Sequence, residues 1–145
     1  MGCRIHVVKR QREYGETSSF NYGMEEFVNL LSNLGCDVSQ AEGDYYFCEA
    51  EVEKFKRAIK VFESYIKHIV DGDNNKKAFL SSLKKLNIAE EDVWYNEEDF
   101  FESMTYILTY LEKEDNYDPK YLLGVLKDYL KERDKKSNWI QFEMY

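Results

Sequence analysis

The stretch Glu51-Val52-Glu53-Lys54-Phe55-Lys56-Arg57-Ala58-Ile59-Lys60-Val61-Phe62-Glu63-Ser64-Tyr65-Ile66-Lys67-His68-Ile69 decides the architecture of this chain. Val52, Phe55, Ile59, Phe62, Ile66 and Ile69 recur at alternating steps of three and four. This spacing lays them along one stripe and predicts a long amphipathic helix from about Glu51 to Ile69. Lys54, Lys56, Arg57, Lys60 and Glu63 fall on its wet side. Asp71-Gly72-Asp73-Asn74-Asn75 is a turn-forming run and ends the helix.

Reading outward on the N-terminal side, Asp44-Tyr45-Tyr46-Phe47-Cys48 is short, aromatic and bounded by Gly43, so it reads as a strand. Before it, Phe27, Leu30, Leu31 and Leu34 stand at i, i+3, i+4 and i+7, a helix that stops at Gly35. The opening Arg4 to Arg12 mixes polar residues with Ile5, Val7 and Val8 and reads as a further strand, followed by a loop through Gly15 to Asn21. On the C-terminal side Ala78, Phe79, Ser82, Leu83 and Leu86 suggest a short helix before Asn87. Asn96 with Glu97, Glu98 and Asp99 has the composition of a capped start, and a helix follows through Phe100, Met104, Ile107, Leu108 and Leu111. Asp118-Pro119 joins a capping Asp to Pro at the first helical position, launching a helix to about Asp134. Trp139 to Tyr145 alternates, with Ile140, Phe142 and Met144 on one face: a terminal strand able to pair with the N-terminal one. The expected fold is α+β and predominantly helical, one domain over residues 1–145, with about five helices and a small sheet that includes both terminal strands.

Composition supports a packed domain. The 145 residues are 43% hydrophobic and 16% aromatic, which excludes intrinsic disorder despite 33% charge. A chain of this length buries about 70% of its unfolded surface, so it needs no staple. The three cysteines, Cys3, Cys36 and Cys48, show no C-x-x-C spacing and read as buried apolar residues of a reducing compartment. Arg4 and His6 break the opening apolar stretch, so no secretory signal is expected, and His6 stands where myristoylation needs Ser or Thr. A cytoplasmic protein without a membrane span is the expectation.

A search for catalytic chemistry returns little. His6 falls in a strand and His68 near a helix end, both positions a structural histidine fills. Asp71, Asp73 and Asn75 match the first odd positions of an EF-hand loop, but Lys76 occupies the position of its glycine and Ser82 that of its glutamate. An inter-helix turn is therefore expected there. The chain holds no phosphate-binding glycine loop and no G-x-S-x-G elbow. The expectation is a non-enzyme with no cofactor and no metal.

The charge of −8 is unevenly placed. Residues 1–12 carry Arg4, Lys9, Arg10 and Arg12 without an acid, and residues 51–88 are again net +4. Residues 90–118 hold eleven acids against the single Lys113, a net −10, interleaved with Trp94, Tyr95, Tyr106, Tyr110 and Tyr117. Some of these acids cap helices and the rest could form a solvated face, yet clustered carboxylates repel one another. Aromatic anchors ringed by charge compose a protein-binding hot spot, and acidic charge speeds docking of a basic partner. The candidate partner-binding residues are Glu90, Glu91, Asp92, Trp94, Tyr95, Glu97, Glu98, Asp99 and Glu102. The basic N-terminal strip, with Tyr14, Phe20 and Tyr22, is the counter-reading as a nucleic-acid contact, set against the ordinary use of Lys and Arg to protect an edge strand. Overall charge disfavours nucleic acid as a partner.

In type, the chain resembles the small acidic, aromatic-rich immunity proteins that bacteria make against toxins of their neighbours. The stretch Glu90-Glu91-Asp92-Val93-Trp94-Tyr95-Asn96-Glu97-Glu98-Asp99 carries this resemblance, together with size and the missing catalytic set. It implies stoichiometric binding that blocks a basic toxin or effector. An inhibitor of host defence that mimics nucleic acid, carried by a phage or mobile element, uses the same acids; an enzyme whose site is not visible in sequence is the third class.

Overall fold

In the computed structural model, which describes residues 5–10, 13–14, 24–40 and 47–144, the chain from 52 to 70 is helical along the stripe its spacing requires. Val52, Phe55, Ile59, Phe62 and Ile66 are all buried. Two details differ from the sequence expectation. Glu51 closes a strand and hands directly to the helix at Val52. The regular helix stops at Tyr65, and Ile66–Val70 widens into a π-helical turn. That turn lets the reversing segment satisfy helix-end carbonyls: the amides of Asp71, Asn74 and Asn75 donate to Ile66, Ile69 and His68. Asp73 and Asn74 reverse the chain with φ of 58° and 60°, a conformation that short polar side chains tolerate.

The elements in order are strands β1 (Ile5–Arg10) and β2 (Glu13–Tyr14), helix α1 (Met24–Asn33), strand β3 (Phe47–Glu51) and helix α2 (Val52–Tyr65). Then come α3 (Lys76–Lys85), a 3₁₀ turn (Glu90–Asp92), α4 (Glu97–Asp115), α5 (Pro119–Glu132) and strand β4 (Trp139–Met144). The fold is α+β, and the described residues form five α-helices and one antiparallel sheet ordered β2-β1-β4-β3. The N- and C-terminal strands are direct neighbours: Ile5 faces Met144 and Val7 faces Phe142. The β3 strand starts at Phe47, and the expected residues 44–46 lie outside the described ones, as do Cys3, Arg4, Arg12, Phe20 and Tyr22.

One sheet face, formed by Ile5, Val7, Cys48, Ala50, Ile140 and Phe142, is wholly buried. Phe27 of α1 and Tyr129 of α5 pack their rings edge-on against Phe142 at 4.8 and 5.3 Å, and the Tyr129 hydroxyl donates to the Ile5 carbonyl at 2.7 Å. A second aromatic core lies between α2, α3 and α4. There Phe100 stacks on Phe79 at 5.8 Å, with Tyr65 and Phe101 edge-on around them. Among the described residues no helix is long and apolar enough to cross a membrane.

Cys36 and Cys48 are buried. Burial pushes the Cys36 thiol from 9.0 up to about 12, and the Arg57 guanidinium offsets only part of this. The folded thiol therefore keeps its proton after the unfolded one has lost it. Stability from this group is complete below pH 9 and falls between pH 9 and 12, by about 1.4 kcal/mol per pH unit. The urea midpoint should drop from pH 8 to pH 10, and the drop should be shallower in Cys36→Ala. Equal slopes in both proteins would refute this assignment.

Candidate protein-binding surface along the fourth helix

Asn96 starts α4 as its sequence requires, its side chain accepting from the Asp99 amide at 3.1 Å. Glu97, Glu98 and Asp99 fill the first turn, where the helix dipole favours negative charge. Capping thus accounts for part of the acidic run. Phe100, Phe101, Met104, Leu108 and Leu111 turn inward and are buried. The outer side carries Glu102, Tyr106 and Thr109, and Tyr106 is 71% exposed.

This ridge separates two open grooves. One, of about 980 Å³, lies toward α3 and is lined by Tyr65, Lys76, Glu97, Glu98, Thr105 and Lys113, among others. The other, of about 850 Å³, lies toward α1 and includes Asn29, Asn33, Trp94, Tyr95 and Asp99. Glu102 and Tyr106 border both. A smaller crevice of about 200 Å³ continues the second groove past Tyr106 to Glu25 and Glu26 of α1. Its neighbour Tyr110 stacks on Tyr106 at 6.4 Å.

The structure therefore divides the residues singled out from the sequence. Glu97 and Glu98 face one groove; Trp94, Tyr95 and Asp99 face the other. Glu90, Glu91 and Asp92 form the 3₁₀ turn and line neither. Tyr95 is fully exposed, whereas Trp94 is half-buried with its ring 4.6 Å from Phe100. Trp94 is thus a lid on the second aromatic core as well as a groove wall. Among the described residues none of the nine candidate positions forms an ion pair: the bridges present join Lys9–Glu132, Lys54–Glu51, Lys56–Glu53, Lys120–Asp71 and Lys127–Glu63.

Sequence reasoning missed Asn29, Asn33, Glu25 and the part played by Tyr106. The spacing of Glu102, Tyr106 and Tyr110, opposite the apolar stripe of α4, was a signal for the last of these. Nothing local announced that α1 would lie alongside.

Other polar groups have structural employment. Lys76 places its ammonium 4.8 Å above the Phe101 ring. Asp71 pairs with Lys120, and Asn75 caps α3 by accepting from the Ala78 amide. Among the described residues no group of three or more His, Cys, Asp or Glu is placed to hold a metal ion. His6 stands opposite Glu143 in the sheet and His68 sits in the π turn; neither lines these grooves. The Tyr65 hydroxyl is hydrogen-bonded to Thr105, and burial raises its pKa above the usual 10.0, which keeps it neutral. Comparison of the chain with family models, with curated proteins and with solved structures finds no match.

Proposed function

We propose that this chain is a cytoplasmic protein-binding protein, an immunity protein that neutralises a basic toxin by stoichiometric docking on the α4 ridge, without catalysis of its own. The observation that carries the reading is Tyr95: a wholly exposed aromatic ring, beside the half-buried Trp94 and between two acidic runs that form no ion pair among the described residues. Exposed tyrosines next to open grooves are the usual composition of an interface centre. The surrounding carboxylates would steer a cationic protein into place.

The test is co-expression with the protein encoded beside this one, followed by reconstitution of the purified pair. Growth should be rescued and the complex should have a fixed stoichiometry. Reversal of Glu97, Glu98 and Asp99 to Lys should slow association by about tenfold or more and flatten its salt dependence. An association rate unchanged by these reversals would overturn the acidic docking face. Competition by DNA or RNA for the same partner would favour the nucleic-acid mimic instead.

A further inference from the structure

We infer that the trough between α1 and α4 receives an arginine-bearing segment of the partner and selects guanidinium over ammonium. This deepens the reading given under Proposed function and rests on it for the existence of a protein partner.

Helices α1 and α4 run antiparallel along the trough. Asn33 Nδ2 donates to the Phe100 carbonyl at 3.3 Å at one end, while Glu25 lies with Tyr110 and Leu111 at the other. The grooves on either side of the ridge differ in charge. Lys76 and Lys113 partly neutralise the one toward α3, whereas among the described residues no Lys or Arg lines the trough toward α1. Asp99 and Glu102, three residues apart, are neighbours on one helix face and both border the trough. Glu25 supplies a further carboxylate at the far end.

The walls determine which cation suits this place. Trp94, Tyr95 and Tyr106 offer ring surface beside the carboxylates, and Tyr95 and Tyr106 are the most exposed of the large apolar and aromatic side chains described. Guanidinium is planar, weakly hydrated and able to stack on such rings while donating to carboxylate oxygens in parallel. Ammonium is a compact, strongly hydrated charge with no plane to stack. A polyanionic partner is excluded by like charge.

The ten residues of α1 measure about 15 Å, which an extended chain covers in about five residues. The fitting occupant is therefore a short extended segment with arginine at both ends, one held by Asp99 and Glu102 and the other by Glu25.

The experiment is an NMR titration of the full chain with two capped pentapeptides, each with three alanines between terminal arginines or terminal lysines. The arginine peptide should bind at least about fivefold tighter, with shifts at Trp94, Tyr95 and Tyr106. Asp99→Asn with Glu102→Gln should weaken it by about tenfold, and Glu112→Gln, on the same helix but outside both grooves, should change it less than twofold. Equal affinity for the two peptides, shifts confined to the α3 side, or a silent titration would each overturn the inference. Growth rescue is scored separately. Rescue with silent peptides removes this inference alone, while arginine-selective binding without any rescue removes the toxin reading and leaves the trough its specificity.

Discussion

Gly35→Ala is expected to lower stability by about 2–5 kcal/mol, and to shift the wall of the groove toward α1 although Gly35 lies outside both grooves. Gly35 follows α1 with φ of +84°, a left-handed conformation that costs a residue with a Cβ about 1–2 kcal/mol. Space is the second obstacle. A methyl group here would stand 2.6 Å from the Asp92 carbonyl oxygen and 2.8 Å from the Val93 Cα, both backbone atoms without freedom to rotate away. Overpacking of this kind costs a further 1–3 kcal/mol or so. The chain pushed aside is the one that leads into Trp94 and Tyr95, so the groove wall should move with it. The Gly35 carbonyl also accepts from Arg57 at 2.7 Å, which ties this cap to α2. Gly124→Ala provides the contrast. Its added methyl meets nothing within 4 Å in the interior of α5, so that variant should gain about 0.5–1 kcal/mol. Urea unfolding of the two variants measures both effects. A Gly35→Ala loss below about 1 kcal/mol would show that the α1 end and the Asp92–Val93 turn are not packed as described.

Phe100→Ala should cost about 3–5 kcal/mol, the range for emptying a large aromatic site in a close-packed core. Phe100 is 1% exposed and sits at the junction of the second aromatic core, with ring centroids of Trp94, Phe101, Phe79 and Tyr65 at 4.6, 5.2, 5.8 and 6.0 Å. Its loss leaves Trp94 without the surface it rests on. The native fluorescence of Trp94 should then shift toward that of a hydrated indole before global unfolding. The seam between α1 and α4 should resist better, because Asn33 bonds to the Phe100 backbone carbonyl, which the substitution keeps. Phe100→Leu, which retains apolar volume, should lose much less. If Phe100→Ala unfolds at the wild-type urea midpoint, the aromatic core does not support the groove.

Local signals along the chain were enough to place most elements. The stripe from Val52 to Ile66, the Asn96 cap and the Asp118-Pro119 start all depend on residues within one or two turns of each other, and each appears in the structure. The acidic run and its aromatic companions were likewise visible, because charge and ring content are properties of composition. What stayed hidden was which of these residues share a surface. Adjacent acids such as Glu98 and Asp99 end on opposite sides of one helix, while Asn33 and Phe100, 67 positions apart, bond across a seam.

The same division separates what the chain determines by itself from what only folding decides. Helix stripes, caps and turns follow from i, i+3 and i, i+4 neighbours, so an α+β protein with an acidic fourth helix is written in the sequence. The central position of the two terminal strands is not, since Ile5 meets Met144 only once the helices have closed the long loop between them. Nor is the half-burial of Trp94, which requires Phe100 and Phe79 to be stacked below it. Packing, which joins residues by distance in space, turned one acidic segment into a ridge with two unlike sides.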